Sequence, residues 1–307
     1  MSSRLNDLAL TALAPIIWGS SYIVSTEFLP GWPPLVVGLL RALPAGLVLL
    51  AITRRLPSRD WLGRVALLGA LNFTVFWGAL FIAAYRLPGG VAATLGALQP
   101  LFVTVLASLL LGAPLRLAAV LAALAGAGGV GLLILGPGAE LDPVGVVAAL
   151  VGALSMATGM VLTLKWTPPV DRLTFVAWQL TAGGVLLIPV ALIVGGDVPA
   201  VDLKAVAGLV WLGLIGGALT YVIFFRGMSI LGAPVASGLG FLSPLSAVTL
   251  GWVILGQALN ARQLIGAGVV LLSVWAVQKV NRRPAPTPQA EPQPQAVSSA
   301  AARSVRV

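Results

Sequence analysis

From Leu8 onward, apolar runs of about 20 residues alternate with short polar breaks, the length that an α-helix needs to cross a bilayer. Cuts at Pro/Gly clusters and charges place the runs at 8–28, 35–53, 61–84, 91–112, 117–135, 144–164, 174–194, 204–225, 233–254 and 263–280. Ten helices are predicted, five in each half. The first run passes through Trp18 and Tyr22 to Phe28 without a small-residue cleavage site, so it reads as a membrane helix rather than a signal peptide. A β-barrel would alternate in segments of about ten residues, and that alternation is absent.

The pattern also repeats. Residues 68–115 match 212–259 at an offset of 144, and VAATLGALQPLF at 91–102 pairs with VASGLGFLSPLS at 235–246. Earlier parts of the halves correspond at an offset of 138, which sets Arg41 opposite Gln179, Gly46 opposite Gly184 and Leu49 opposite Leu187. The six-residue difference is assigned to the loop at 195–203.

Basic residues set the direction. With the N-terminus cytoplasmic, inside segments hold Arg4, Arg54, Arg55, Arg59, Arg64, Arg116, Lys165, Arg172, Arg226, Lys279, Arg282 and Arg283, against Arg86, Lys204 and Arg262 outside. Both ends are therefore predicted inside. An odd number of spans per half makes the second copy enter from the opposite face, as an inverted repeat. The expected fold class is an all-α membrane protein of ten transmembrane helices, two inverted five-helix repeats around a central cavity. Its units are residues 1–139, residues 140–281 and a tail at 282–307, rich in Pro, Gln, Ala and Ser, that reads as disordered and cytoplasmic.

Composition sharpens this. Charged residues are only 9% of the 307 and mean hydropathy is +1.03. Cysteine and histidine are both missing, which excludes disulfides, thiolate nucleophiles, His-based acid/base catalysis and the usual zinc or haem ligand sets. No cofactor or metal is expected. The net charge of +9 would suggest nucleic acid in a soluble chain, but here the basic residues sit in short loops, as topology signals.

The two five-helix halves, WGSSY at 18–22, Arg41 in the second span and prolines centred in the fourth and ninth spans resemble the EamA-type branch of the drug/metabolite transporter superfamily, over residues 8–280. Within that branch the chain is similar to the bacterial aromatic amino-acid exporters. The resemblance implies a basket of helices around a central cavity, export of small metabolites across the bacterial inner membrane and no nucleotide hydrolysis. The family's usual acidic residue, in an LGE-like turn after the fourth span, is missing from both copies, which read LGAPL at 111–115 and LGQAL at 255–259.

An amino-acid cargo presents a carboxylate, an ammonium and a variable side chain, so its site near the bilayer midplane needs donors, acceptors and aromatic surface. Asn72, Thr74 and Trp77 lie in the third span, with Trp77 opposite Tyr221 in the eighth; Gln99 precedes Pro100 as Ser243 precedes Pro244. The two prolines break backbone hydrogen bonds and are expected to expose polarity near Ala97 and Phe241, or else only to kink the helices for packing. Trp18, Tyr22, Trp77, Trp178 and Tyr221 form either a cavity lining or an interfacial belt, with the belt favoured for Trp32, Trp61 and Trp166 and the cavity for Trp77.

Arg41 is the one basic residue well inside an apolar span. It binds a cargo carboxylate, pairs with Glu27 or serves an interhelical role. Glu27 and Arg86, both near the outer face, are candidates for an external gate. Glycines at 126, 128, 129 and 131 and at 266 and 268 are expected to pack helices within the monomer or at a dimer contact, so the chain reads as a monomer or homodimer. Gly89, Gly90, Gly232 and Ala233 serve as hinges or as ordinary tight turns.

The expected function is secondary transport by alternating access, exporting amino acids, aromatic and other neutral ones, or related metabolites, with the cargo and the lipid bilayer as partners. Proton coupling and facilitated export both stay open, because only Glu27 approaches an intramembrane acid. The alternatives are another metabolite or drug in the same fold, a scaffold, and an enzyme acting on lipids. The last would need convergent nucleophiles, acids or metal ligands that the spans do not offer.

Overall fold

The computed structural model describes residues 2–114, 117–134, 141–194, 196–231, 239–240, 242–257 and 259–281, and no strand occurs among them. The expected tail at 282–307, Arg116, Gly232, Ala233 and Phe241 lie outside the described residues. The chain opens with α1 (Ser2–Gly19) and α2 (Ser21–Phe28), a single run bent by 41° at Ser20. Helix α3 (Pro34–Thr53) starts on a proline, whose missing N–H costs nothing in a first turn, and stops at Arg54, whose left-handed backbone lets its N–H reach the Leu50 carbonyl at 2.8 Å.

The third run is α4 (Arg59–Gly69), a π-helical stretch π1 (Ala70–Val75) and α5 (Phe76–Arg86). Next come α6 (Gly89–Gly96), α7 (Gln99–Leu111), α8 (Leu117–Ile134), α9 (Pro143–Lys165) and α10 (Arg172–Val194). The eighth run repeats the third, as α11 (Leu203–Val210), π2 (Trp211–Leu219) and α12 (Thr220–Leu231), and α13 (Leu242–Leu255) and α14 (Ala261–Asn281) follow. Among the described residues six helical runs are long and apolar enough to cross a membrane: Pro34–Thr53, Arg59–Arg86, Gly89–Leu111, Pro143–Lys165, Arg172–Val194 and Leu203–Met228. The bent pair at the start makes a seventh, and Leu242–Leu255 and Ala261–Ser273 are shorter apolar helices.

Small residues set the closest crossings. A Cβ on Gly46 would meet the Thr181 backbone N at 2.6 Å, and one on Gly184 would meet the Leu43 Cα at 2.7 Å. Position 46 thus faces 181 while 43 faces 184, so α3 and α10 run antiparallel. Elsewhere Gly129 of α8 lies against the Gly266 carbonyl of α14, which places that expected packing within the chain, whereas Gly128 and Gly268 face open space. Gly89 and Gly90 pack on Tyr22 and Val248.

One expectation changes here. Trp32, assigned to an interfacial belt, is 4% exposed and packs in the core with Val24 and Leu29, because the turn at Gly31 folds it inward. The fourth run is interrupted just before Pro100: α6 stops at Gly96 and Pro100 sits in the first turn of α7, where a proline needs no partner for its nitrogen.

At one rim Arg86 donates to Asp142 at 2.7 Å, and Asp142 also caps α9 by accepting from the Val144 and Gly145 N–H groups. Arg86 is thus committed to Asp142 and not to Glu27, contrary to the expected gate, because the head of α9 brings an exposed carboxylate closer. The Arg86 guanidinium and the cap hold the Asp142 carboxyl below the usual carboxylate range. A folded-state pKa below the unfolded one makes this contribution present at neutral pH and lost as the pH falls through the folded value. Asp142→Asn should therefore lower the melting temperature slightly at pH 7, and the difference from wild type should shrink on acidification towards pH 2. A gap that widens in acid would contradict the pairing.

Candidate functional site

Arg41 lies two turns into α3, 4% exposed, where the α1–α2 bend, π2 and α5 converge. Its Nη1 donates to Ser21 Oγ at 2.7 Å and its Nη2 to the Gly216 carbonyl at 3.2 Å. The guanidinium carbon stands 4.6 Å from the centroid of Trp77 and 5.8 Å from that of Phe81, and Nε has no partner. No carboxylate bridges it, so Arg41 is not paired with Glu27; the ion pairs among the described residues are Arg86–Asp142 and Arg226–Asp7.

Aromatic rings extend from this centre. Trp77 meets Phe73 edge-on at 5.2 Å, Phe73 meets Tyr221 at 6.2 Å and Tyr221 meets Trp18 at 5.7 Å. The Trp18 indole N–H donates to Thr220 Oγ1 at 2.9 Å, and the Thr220 hydroxyl donates in turn to the Gly216 carbonyl at 2.9 Å. The phenols of Tyr22 and Tyr221 lie within electrostatic reach of Arg41. Five of the expected residues, Trp18, Tyr22, Arg41, Trp77 and Tyr221, are thereby brought together. Trp77 is nonetheless 2% exposed, its ring covered by Arg41 and Phe73 in this conformation.

A second polar contact stands across from the first. Asn72 Nδ2 donates to Gln179 Oε1 at 2.6 Å, with both residues buried and Asn72 Oδ1 unpartnered against Gly159. Gln179 is the counterpart of Arg41 at the offset of 138, and Gly216 is the counterpart of Asn72 at the offset of 144. Arg41 on Gly216 and Gln179 on Asn72 therefore stand at equivalent positions of the repeat, each contact joins one half to the other and each involves a π-helical stretch, although Arg41 donates to a backbone carbonyl and Gln179 accepts from a side-chain amide. A π-helical turn shifts the backbone register by one residue and turns carbonyls off the helical ladder, which is why such turns gather at functional sites. Thr74 adds a third link between the same elements, donating to the Gly183 carbonyl at 2.9 Å.

Removing the Gln179 acceptor would leave the buried Asn72 amide with neither of its polar ends satisfied. Gln179→Leu should cost about 1–3 kcal/mol, read as a lowered midpoint of unfolding in detergent. An unchanged midpoint would mean that the pair contributes nothing.

Other expected residues lie elsewhere. Trp178 donates its indole N–H to the Arg55 carbonyl at 2.6 Å and packs with Trp61 and Phe175, away from the Arg41 cluster, because it points towards α4 rather than α5. Gln99 contacts the Met160 sulfur on α9, and Ser243 lies in the first turn of α13 with its carbonyl facing Gly19 and Pro244 buried beside it. Sequence reasoning missed Ser21, Phe73 and Gly216 as partners of the centre. Gln179 was visible as the counterpart of Arg41, but Gly216 contributes only a carbonyl and gives no sequence signal. Gln257, in the turn where the family's acid is absent, accepts from the Gly89 N–H at 3.3 Å and so caps α6.

An open apolar groove of about 630 Å³ runs between α5, α9 and α10, lined by Leu35, Gly78, Ile82, Val147, Val151 and Val190 among others. Thr74 is its one polar lining side chain, and none of the Arg41 cluster reaches it.

Long apolar helices, a bent first run and a buried polar centre between them are the features of a polytopic membrane protein. The chain belongs to the EamA-like transporter family, whose model matches it twice, over residues 7–135 and 143–278. It is 44% identical over 280 residues to Protein PecM of Dickeya dadantii, covering 91% of this chain and 93% of that protein. It is 31% identical over 271 residues to the inner membrane transporter YedA of Escherichia coli, covering 85% and 87%. A solved crystal structure superposes with a TM-score of 0.60 over 91% of this chain and 99% of its own, at 20% identity, and so shares the fold.

Proposed function

We propose that this protein is a secondary transporter of the bacterial inner membrane that exports amino acids, aromatic and other neutral ones, or closely related small metabolites by alternating access. The observation that carries the reading is the pair of equivalent contacts, Arg41 on Gly216 and Gln179 on Asn72, set where two π-helical stretches meet the antiparallel helices α3 and α10. Two copies of one unit facing a common centre from opposite sides are what a rocking carrier requires.

The ten-span topology, the inverted five-helix repeat and cytoplasmic termini are part of this proposal. The double family match, the antiparallel α3–α10 crossing and the excess of Lys and Arg in alternate loops support them. Largely neutral polar groups among aromatic rings suit a zwitterion with an apolar side chain better than a phosphorylated cargo, which favours several converging cations.

The test is counterflow of labelled phenylalanine, methionine and threonine into proteoliposomes, with and without an imposed proton gradient. Competable exchange independent of the gradient is expected, since among the described residues no acid pairs with the polar centre. Absence of exchange with all three would transfer the assignment to another metabolite in the same fold, and strict dependence on the gradient would overturn the uncoupled cycle.

A further inference from the structure

Two contacts at equivalent positions of the repeat join the halves with different chemistry. Gln179 holds Asn72 of π1 with a neutral amide, whereas Arg41 holds the Gly216 carbonyl of π2 with a guanidinium. A neutral side chain ties α10 to π1, and donation to a single backbone carbonyl is within reach of a neutral amide too, so the charge at position 41 is surplus to holding Gly216. Burying a full positive charge among apolar helices is costly unless an anion answers it. Among the described residues none does: Arg41 has no acidic partner, its Nε is orphaned, and of its five N–H donors only two meet the acceptors Ser21 and Gly216. What surrounds the unused face is the ring of Trp77, a partner for the cation but not a countercharge.

We infer that the Arg41 guanidinium is the anion subsite of the transporter and that its ligand is a carboxylate carried by the cargo. The inference rests on the proposed transport of small metabolites through this centre and adds the group by which they are held. Ser21 fixes Nη1 and Gly216 fixes Nη2, so the guanidinium is oriented before cargo arrives, with Nε and the remaining N–H bonds left for a planar bidentate acceptor. A cargo without a carboxylate leaves the charge unanswered and binds poorly, whatever its apolar part.

The experiment is thermal stabilisation of the purified full chain in detergent by phenylalanine, 3-phenylpropionate and 2-phenylethylamine, with wild type, Arg41→Gln and Arg41→Lys. Wild type is expected to be stabilised by the two carboxylates and not by the amine. Arg41→Gln copies the neutral half, should stay folded, and should bind both carboxylates about 30-fold more weakly or worse; Arg41→Lys should keep part of the preference. Stabilisation by 3-phenylpropionate but not by phenylalanine would defeat the amino-acid reading and leave the subsite standing. Equal stabilisation by the amine, a carboxylate preference that survives in Arg41→Gln, or no response of wild type to either carboxylate would overturn the subsite. Should Arg41→Gln fail to fold, the ligand ranking of wild type and Arg41→Lys decides it.

Discussion

Gly46→Val and Gly184→Val should each abolish most of the folded protein, and to the same extent. The Cβ of either would stand within 2.9 Å of backbone atoms of the facing helix, Thr181 N and Leu180 C in one case, Leu43 N and Cα in the other. Backbone in a packed crossing cannot step aside as a side-chain tip can, so the cost lies at or above the upper end of ordinary overpacking, about 3 kcal/mol or more. The measurement is the monodisperse fraction and melting temperature in detergent, with Gly63→Ala as the control, since nothing lies within 4 Å of a Cβ there. Equal damage is the signature of one crossing used twice. A mild effect at one position and a severe one at the other would argue against equivalent halves.

Trp77→Ala should destabilise the protein by about 3–5 kcal/mol, as for other buried tryptophans, and should lower exchange of every cargo alike. The ring is 2% exposed, carries the Arg41 guanidinium on its face and packs edge-on against Phe73. Its removal opens a void and strips the cation of its principal neighbour. Detergent unfolding together with counterflow of phenylalanine and threonine measures both consequences. Loss confined to phenylalanine, with stability unchanged, would instead make Trp77 a wall of the cargo site.

Much of the site was legible and part of it was not, for identifiable reasons. Arg41 stood out because a lone charge in an apolar span must be answered, and Gln179 followed from the offset of 138. The pairing of Arg86 could not be read, since the sequence offers both Glu27 and Asp142 as acids near span ends and only the cap geometry of α9 chose between them. Trp178 and Trp77 are the same residue type inside apolar spans, yet one turns to Arg55 and the other to Arg41. Rotation about the helix axis separates them, and where every face of a helix is apolar the pattern carries no phase.

What the sequence by itself determined is the class and the plan: helices because unpaired backbone cannot cross a bilayer, their approximate limits from apolar length, and the duplication from residue identities. What only the tertiary structure decided is which polar groups meet. The widening of two helices into π turns, the clasp of Arg41 on a glycine carbonyl and the burial of Trp77 all depend on where neighbouring helices stand. In a chain this apolar, packing contacts distinguish one face of a helix from another, and hydropathy does not.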